Sequence, residues 1–252
     1  MKIFSFLKEL LFPTNLKCIV CNEEMFTNND FCICENCLKN LPVVTKPCSV
    51  CGRQVVGEGK LCNHCTNEKI TLTLARAPLL YNKDMHNLIT NLKYKNCKYL
   101  AKPLGKLLYN YYIPSEDFKD INIIIPVPIY KTRLKKRGYN QTELLLNNFE
   151  EKDKIDFTLV SKIKDTGSQT DKTYGERLAA LTDAFIVNDK TKIENKNILI
   201  VDDVFTTGAT CNSLAKTLLK AGAKSVKALT LCNVVYKKDI KENEKIEIKN
   251  FK

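Results

Sequence analysis

Hydrophobic and polar positions after residue 70 switch repeatedly between two patterns. Nearly continuous apolar runs over 121–128 and 197–203 are typical of strands that are buried on both faces of a sheet. Other stretches place apolar residues three or four positions apart, which is typical of helices that pack on such a sheet. Strands that alternate with helices predict an α/β domain with a mostly parallel sheet flanked by helices.

The same pattern predicts individual elements. Strands are expected at 71–81, 121–128, 157–163, 197–203 and 225–232. Helices are expected at 84–94, 97–112, 138–149, 174–185 and 209–221. Gly222 is expected to cap the last helix, and the charged tail from Lys237 to Lys252 is expected to be solvated.

The first 13 residues contain the apolar segment that most resembles a membrane anchor. Lys8 and Glu9 split it, and no stretch of the chain reaches the roughly 18 apolar residues that a membrane span needs. The segment is therefore predicted to be a short amphipathic helix that ends at Pro13. No small-residue cleavage site follows it, so a signal peptide is not expected and a cytoplasmic location is predicted.

Twelve cysteines in 252 residues are concentrated near the start of the chain, and eight of them form four C-x-x-C pairs. The pairs are Cys18/Cys21, Cys34/Cys37, Cys48/Cys51 and Cys62/Cys65. Two residues between thiolates allow a tight turn to aim both sulfurs at one ion, so the pairs predict structural zinc, with one or two ions. Disulfides and a thioredoxin-like redox centre are the weaker alternatives in a reducing compartment.

The cysteine-rich part and the α/β part divide the chain. An N-terminal helix and double zinc ribbon are predicted at 1–70, and a second domain at 71–252. A hydrophobic content of 44 % supports a packed core and excludes a disordered or collagen-like chain.

The net charge of +12 is concentrated in one quarter of the chain. Residues 76–140 hold 13 basic and 4 acidic side chains, a net charge of +9, together with eight of the ten tyrosines. Cations along a groove and rings for base stacking are what single-stranded DNA requires. The competing interpretation is that Tyr109 and Tyr112 pack the domain and that the lysines cover a solvated face.

A candidate ligand site follows the strand at 197–203. The strand carries Asp202 and Asp203 at its carboxyl end, where open α/β sheets place their ligand crevice. The residues of the next loop are Thr206, Thr207, Gly208, Ala209 and Thr210. Their amides and hydroxyls, at the start of a helix, suit a phosphate group, while the carboxylates suit ribose hydroxyls with Mg²⁺ nearby. The alternative is that the aspartates only cap the strand and that the loop is an ordinary turn.

The segment VDDVFTTGAT at 201–210 resembles the phosphoribosyl-pyrophosphate-binding motif of type I phosphoribosyltransferases. With the four cysteine pairs and IIPVPIYKTRLKKRGYNQTELL at 124–145, nearly the whole chain resembles the ComF family of competence-associated proteins. The resemblance implies a type I phosphoribosyltransferase-like domain behind a double zinc ribbon. It implies phosphoribosyl pyrophosphate and Mg²⁺ as ligands, with Asp202 and Asp203 as catalytic residues. It also implies single-stranded DNA and other DNA-uptake proteins as partners.

Two further parts of the site come from the resemblance. The loop that handles pyrophosphate in the family falls here on Pro126 to Arg137. Arg133 and Arg137 lie in it, in a chain with 35 lysines and only five arginines, and a planar guanidinium suits bidentate phosphate contacts. The alternative is that both arginines lie on a solvated connection. Arg177 matches the family segment that is expected to form a mobile lid over the ligand.

Three functions are open on this basis. The expected one is a competence protein that binds single-stranded DNA and uses a phosphoribosyl site as a binding or regulatory element. The second is an active phosphoribosyltransferase, in which pyrophosphate leaves C1 of the ribose as an unidentified acceptor attacks. The third, a zinc adaptor that docks a partner protein, leaves the sugar-phosphate site unexplained.

Overall fold

The computed structural model describes residues 17–25, 29–68, 70–165 and 181–235. It separates into two compact units, Met1–Leu41 and Pro42–Lys252. The predicted N-terminal helix, the predicted lid residue Arg177 and the charged tail lie outside the described residues.

The first unit contains a small cysteine-lined fold. An antiparallel bridge joins Lys17 to Glu24, and helix α1 (Glu35–Lys39) follows. Cys34 precedes this helix as its N-cap, and its Sγ accepts a hydrogen bond from the Cys37 amide at 3.5 Å. Hydrogen bonds from backbone amides at a helix start stabilise the negative charge of a cysteine thiolate.

The second unit is built on a parallel five-stranded sheet. Its strands are β1 (Leu74–Arg76), β2 (Leu79–Leu80), β3 (Ile123–Pro126), β6 (Asn197–Phe205) and β7 (Ser225–Asn233). The strand order is β1-β7-β6-β3, and β2 also pairs with β7. Every one of these pairings is parallel. A separate antiparallel pair consists of β4 (Val160–Lys162) and β5 (Phe185–Val187).

Helices precede and connect these strands. In chain order they are α2 (Asn63–Asn67), α3 (Lys83–Tyr94), α4 (Ala101–Tyr112), α5 (Lys131–Arg137), α6 (Gln141–Leu146) and α7 (Ala209–Lys220). Single 3₁₀ turns occur at Lys98–Leu100, Glu116–Phe118 and Lys152–Lys154. None of the helices in the described ranges is long and apolar enough to cross a membrane.

The predicted strands and helices after residue 70 are largely confirmed, and three of them differ in detail. The strand expected at 71–81 is two short strands, because Pro78 separates β1 from β2 and has no amide to donate. The helix expected at 138–149 begins only at Gln141, after Gly138 has ended α5 with φ +80°. The helix expected at 174–185 lies outside the described residues up to 180, and its end is wrong, since residues 181–183 are turns and Phe185 begins β5.

The core lies on both faces of the central strands. Ile198, Leu199, Ile200 and Val201 of β6 are fully buried, and α7 packs Leu214 and Leu218 against the sheet. The same apolar cluster includes Cys48, Cys51 and Cys62. The second cysteine cluster is therefore packed in one unit with the sheet, while the predicted domain boundary near residue 70 stays a prediction.

Candidate functional site

A cleft of about 230 Å³ opens at the carboxyl ends of β3 and β6. This is the edge at which a parallel α/β sheet presents its ligand site. Polar side chains from four helices, two strands and three loops line it, namely Tyr81, Lys93, Tyr130, Arg133, Gln141, Lys162, Asp202, Asp203, Thr206 and Thr210. The predicted acidic pair, both ends of the predicted phosphate loop and one predicted arginine thus share one cleft.

Asp203 is held by two side chains from different helices. Its Oδ1 accepts a hydrogen bond from Lys93 Nζ of α3 at 2.7 Å, and its Oδ2 accepts one from Gln141 Nε2 of α6 at 2.7 Å. Burial lowers the pKa of Lys93, but the charges of Asp203 and Asp202 outweigh burial and raise that pKa above its ordinary value. The Lys93 ammonium therefore stays charged and compensates the carboxylate of Asp203.

Asp202 has a different electrostatic environment. Burial, followed by the charge of Asp203, raises the pKa of Asp202 to about 7. Its Oδ1 accepts the Asp203 amide at 2.9 Å. At neutral pH this carboxyl is therefore poised between its two forms, and a cation or hydrogen-bond donors brought by a ligand would favour the ionised one.

The loop after β6 is closed by a glycine in the left-handed region. Gly208 has φ +78° and is the N-cap of α7. A Cβ at this position would lie 2.4 Å from Phe205 Cζ, so the turn requires glycine. The Ala209 amide donates to Thr207 Oγ1 at 3.3 Å, which stabilises the turn from within. Thr207, Gly208 and Ala209 thus form the turn, while Thr206 and Thr210 line the cleft.

The two predicted arginines have different positions. Arg133 of α5 lines the cleft and lies 3.8 Å from an Asp165 carboxylate oxygen. Arg137 donates to Gln141 Oε1, and its guanidinium carbon lies 5.3 Å from the centre of the Tyr94 ring. In this structure Arg137 therefore orients the glutamine that holds Asp203.

Lys162 of β4 is a cleft residue that sequence reasoning missed. Burial, followed by the charge of Arg133, lowers the pKa of Lys162 to about 8. Lys93 and Gln141 were also missed, although Gln141 lies within the quoted RGYNQ segment. Lys93, Arg133 and Lys162 make the cleft cationic around its two carboxylates, which suits an anionic sugar ligand.

The eight paired cysteines form two groups of four, in sequence order. Within each group the candidate ligand atoms all lie within 4.8 Å of one another. Cys51 and Cys62 have their sulfurs 3.5 Å apart, and the sulfurs of Cys21 and Cys34 are 3.8 Å apart. Four thiolates around a zinc ion with bonds of about 2.3 Å have sulfurs about 3.8 Å apart. Both groups therefore have the donor set and spacing of a structural zinc site.

The tyrosines of the basic segment divide into two sets. Tyr109 and Tyr112 pack on Phe149, with ring centres 5.1 and 5.4 Å away, so these two pack the domain as the competing interpretation has it. Tyr94 and Tyr99 are 73 % and 68 % exposed. We term Tyr94 and Tyr99, their sequence neighbours Lys95 and Lys98, and Arg137, which contacts the Tyr94 ring, the tyrosine surface.

Two known domains match this chain. The description "Phosphoribosyl transferase domain" fits residues 135–251, and "Double zinc ribbon domain" fits residues 7–66. These matches agree with the parallel sheet and the paired cysteines.

Curated relatives extend over most of the chain. Competence protein F of Haemophilus influenzae is 27 % identical over 221 residues, which are 84 % of this chain and 94 % of the relative. Competence protein ComFC of Streptococcus pneumoniae is 28 % identical over 231 residues, 86 % of this chain and 99 % of the relative. DNA utilization protein YhgH of Escherichia coli K12 is 25 % identical over 208 residues, 81 % of this chain and 91 % of the relative.

Among solved structures, a hypoxanthine phosphoribosyltransferase of Staphylococcus aureus aligns with 53 % of this chain and 64 % of that chain, at 17 % identity and a TM-score of 0.32.

Replacing Asp202 with asparagine is expected to change how stability depends on pH. An aspartate with a pKa of about 7 in the folded state and about 4 in the unfolded state stabilises the fold fully below pH 4, and this stabilisation is lost as the pH rises through 7. Asparagine has no such loss and can still accept the Asp203 amide. Between pH 5 and 8 we expect Asp202→Asn to gain on the order of 2 kcal/mol relative to wild type, measured by urea unfolding.

The control is Asp153→Asn, at an exposed aspartate that does not line the cleft. This variant is expected to keep the wild-type pH profile. If Asp202→Asn and wild type differ in free energy of unfolding by the same amount at both pH values, the raised pKa of Asp202 is contradicted.

Proposed function

We propose that the cleft binds a phosphoribosyl pyrophosphate-type ligand with Mg²⁺. The chain's resemblance to the ComF family, which is confirmed over most of its length, supports this proposal. We further propose that the protein handles single-stranded DNA during competence. One observation carries the first proposal. Two carboxylates, a phosphate-type loop and three cationic side chains line a single cleft at the carboxyl edge of the sheet.

Each part of the ligand has a matching group. The 5′-phosphate would lie at the loop 206–210, where Thr206 and Thr210 line the cleft at the start of a twelve-residue helix. The ribose hydroxyls would donate to the Asp202 and Asp203 carboxylates. The pyrophosphate would lie toward Arg133 and Lys162, which supply the cations that two more phosphate groups need.

The acidic pair also fits a magnesium ion. Burial and the charge of Asp203 hold Asp202 partly protonated at neutral pH, and a divalent cation offsets both effects. Asp203 already has Lys93 and Gln141 on its two oxygens, so Asp202 is the carboxylate that is available to the ion or its water shell. When bound, Mg²⁺ would neutralise the pyrophosphate charge.

The second candidate is an active phosphoribosyltransferase with an unidentified acceptor. It uses the same residues, because the groups that bind pyrophosphate also stabilise it as a leaving group. Pyrophosphate release with a panel of acceptors, abolished in Asp202→Asn/Asp203→Asn, would favour this candidate. Tight ligand binding without release for any acceptor would favour a binding or regulatory site.

Arg133→Met is expected to weaken binding of the pyrophosphate end of the ligand and to leave binding of the 5′-phosphate end unchanged. The variant removes a cation from the proposed pyrophosphate end, so phosphoribosyl pyrophosphate with Mg²⁺ should bind about tenfold more weakly, since a hydrogen bond to a charged group contributes about 1.5 kcal/mol or more. Ribose 5-phosphate should bind as in wild type, because its phosphate lies at the loop 206–210. Calorimetric titration of both ligands measures the difference. Equal loss for both ligands contradicts the pyrophosphate role, and wild type that binds neither ligand contradicts the proposed site.

The DNA proposal is supported by the tyrosine surface and by the printed names of the relatives. Tyr94 and Tyr99 expose their rings next to Lys95 and Lys98, in the segment of the chain with a net charge of +9. Bases of single-stranded nucleic acid stack on exposed aromatic rings whatever the sequence. The relatives are named competence and DNA utilization proteins.

Tyr94→Ala/Tyr99→Ala is expected to weaken binding of a 20-nucleotide thymidine oligomer by at least about tenfold, since each stacked base contributes about 1–3 kcal/mol. Its dependence on salt should stay as in wild type, because no phosphate contact is removed. Lys95→Gln/Lys98→Gln should instead reduce the slope of log K against log salt by about 1.4, two phosphate contacts at about 0.7 each. Fluorescence anisotropy over a salt series measures both effects.

Lys190→Gln/Lys220→Gln is the matched control, since both lysines are exposed and lie outside the basic segment. This pair is expected to bind the oligomer as wild type does. A flat salt response of the wild type, or equal losses in the control, would rule out this surface.

A further inference from the structure

A fully buried arginine connects the second cysteine cluster with the phosphate loop. Arg53 follows Cys51 by two residues and is 0 % exposed, which is rare for arginine. Its Nη2 donates to the Thr206 carbonyl oxygen at 2.7 Å, 153 residues away in the sequence. Its guanidinium carbon lies 5.5 Å from the centre of the Phe205 ring.

The position of Arg53 is set by the turn that carries two cysteine ligands. The Cys48 amide donates to the Arg53 carbonyl at 2.7 Å, and the Gly52 amide donates to the Cys48 carbonyl at 3.0 Å. Gly52 has φ +69°, and a Cβ there would lie 2.5 Å from the Ala75 carbonyl oxygen, so the turn is pressed against β1. We term residues 48–53 the second knuckle.

Further hydrogen bonds fix the second knuckle to the sheet. The Ala75 amide of β1 donates to the Val50 carbonyl at 2.7 Å, and Asn233 Nδ2 at the end of β7 donates to the Cys51 carbonyl at 3.1 Å. The knuckle is therefore bonded to the two strands at this edge of the sheet. A displacement of the cysteine turn would move Arg53 with it.

On the loop side, Arg53 supports a packed stack. The guanidinium lies against Phe205, and the Phe205 ring occupies the space that a side chain on Gly208 would need. Arg53 is fully buried, so the Thr206 carbonyl that it binds is turned toward the protein interior. This matters for an anion, because a carbonyl oxygen turned into the cleft would repel phosphate, while the amides of the same loop attract it.

The charges of the two groups complement each other. Four thiolates with one Zn²⁺ carry a net charge of −2, and Arg53 lies in the same turn as two of these thiolates. A buried guanidinium needs such compensation, since an uncompensated buried charge is strongly destabilising. The negative charge of the zinc-loaded cluster thereby stabilises the buried Arg53 guanidinium next to the phosphate loop.

We propose that Arg53 is a positioning residue for the phosphate loop, through which the metal-bound second cysteine cluster sets the affinity of the cleft for the phosphate end of a sugar phosphate. The part of this proposal that concerns ligand affinity rests on the proposed function of the loop. The part that concerns loop positioning does not need a ligand. Zinc in the second cluster then acts on ligand binding without touching the ligand.

The test compares Arg53→Met with Arg76→Met in the full chain. Methionine keeps the length and the apolar contact with Phe205 but cannot donate to Thr206. Arg76 is the matched control, because its Nη1 donates to the Cys48 and Ser49 carbonyls of the same knuckle at 3.2 and 3.4 Å. Arg53→Lys, which keeps the charge and one donor, is the conservative variant.

Ligand binding is measured with ribose 5-phosphate and, separately, with Mg²⁺-pyrophosphate. Arg53→Met should bind ribose 5-phosphate about tenfold more weakly and pyrophosphate within twofold of wild type, with unchanged zinc content by mass spectrometry. Arg53→Lys should recover part of the loss, and Arg76→Met should bind both ligands as wild type does. Unchanged ribose 5-phosphate binding in Arg53→Met overturns the proposal, as does equal loss of both ligands.

Hydrogen exchange of the amides at 207–210 tests loop positioning without a ligand. Arg53→Met should speed this exchange at least tenfold and Arg76→Met should not. Cys65→Ser, in the second cluster, should speed it as well, whereas Cys37→Ser, in the first cluster, should leave it unchanged. Unchanged exchange in both Arg53→Met and Cys65→Ser overturns the proposal. If wild type binds no ribose 5-phosphate, the proposed function fails, and the exchange result still decides the role of Arg53.

Discussion

Two carboxylates at the end of one buried strand repel each other, and the cleft is organised around this repulsion. Asp203 is compensated from two helices, by the Lys93 ammonium and the Gln141 amide. Asp202 accepts the Asp203 amide, and burial together with the charge of Asp203 raises the pKa of Asp202 to about 7. Strongly perturbed pKa values of this kind cluster at functional sites in proteins. In the proposed function, ribose hydroxyls and a divalent cation would offset the repulsion between the two carboxylates, which a purely anionic ligand would not.

The remaining parts of the fold hold this pair in place. Strand β6 is buried between β3 and β7, so the sheet fixes the positions of Asp202 and Asp203 on this strand. The turn at Gly208 then brings the start of α7 back over Phe205. The second cysteine cluster packs in the same unit and supports the loop through Arg53. The second cysteine cluster and the proposed ligand site are thus parts of one packed structure.

Local patterns predicted the strand β6, the loop after it, the helix α7 and the eight paired cysteines, because the residues of each lie close together in the sequence. The side chains that complete the site do not. Lys93 lies 110 residues from Asp203, and Arg53 lies 153 residues from Thr206. Periodicity also missed α5, whose seven residues are mostly charged and bury no face. Arg133 and Arg137 look equivalent in sequence, and only their places on α5 direct one to the cleft and the other to Gln141.

The most direct test of the central claim is a crystal structure with phosphoribosyl pyrophosphate and Mg²⁺ bound. The account predicts the 5′-phosphate on the amides of the loop 206–210, the ribose hydroxyls on Asp202 and Asp203, and the pyrophosphate beside Arg133. The same density would show whether space for an acceptor exists next to C1. A ligand bound elsewhere, or bound in the cleft with its ribose turned away from both aspartates, would contradict the account.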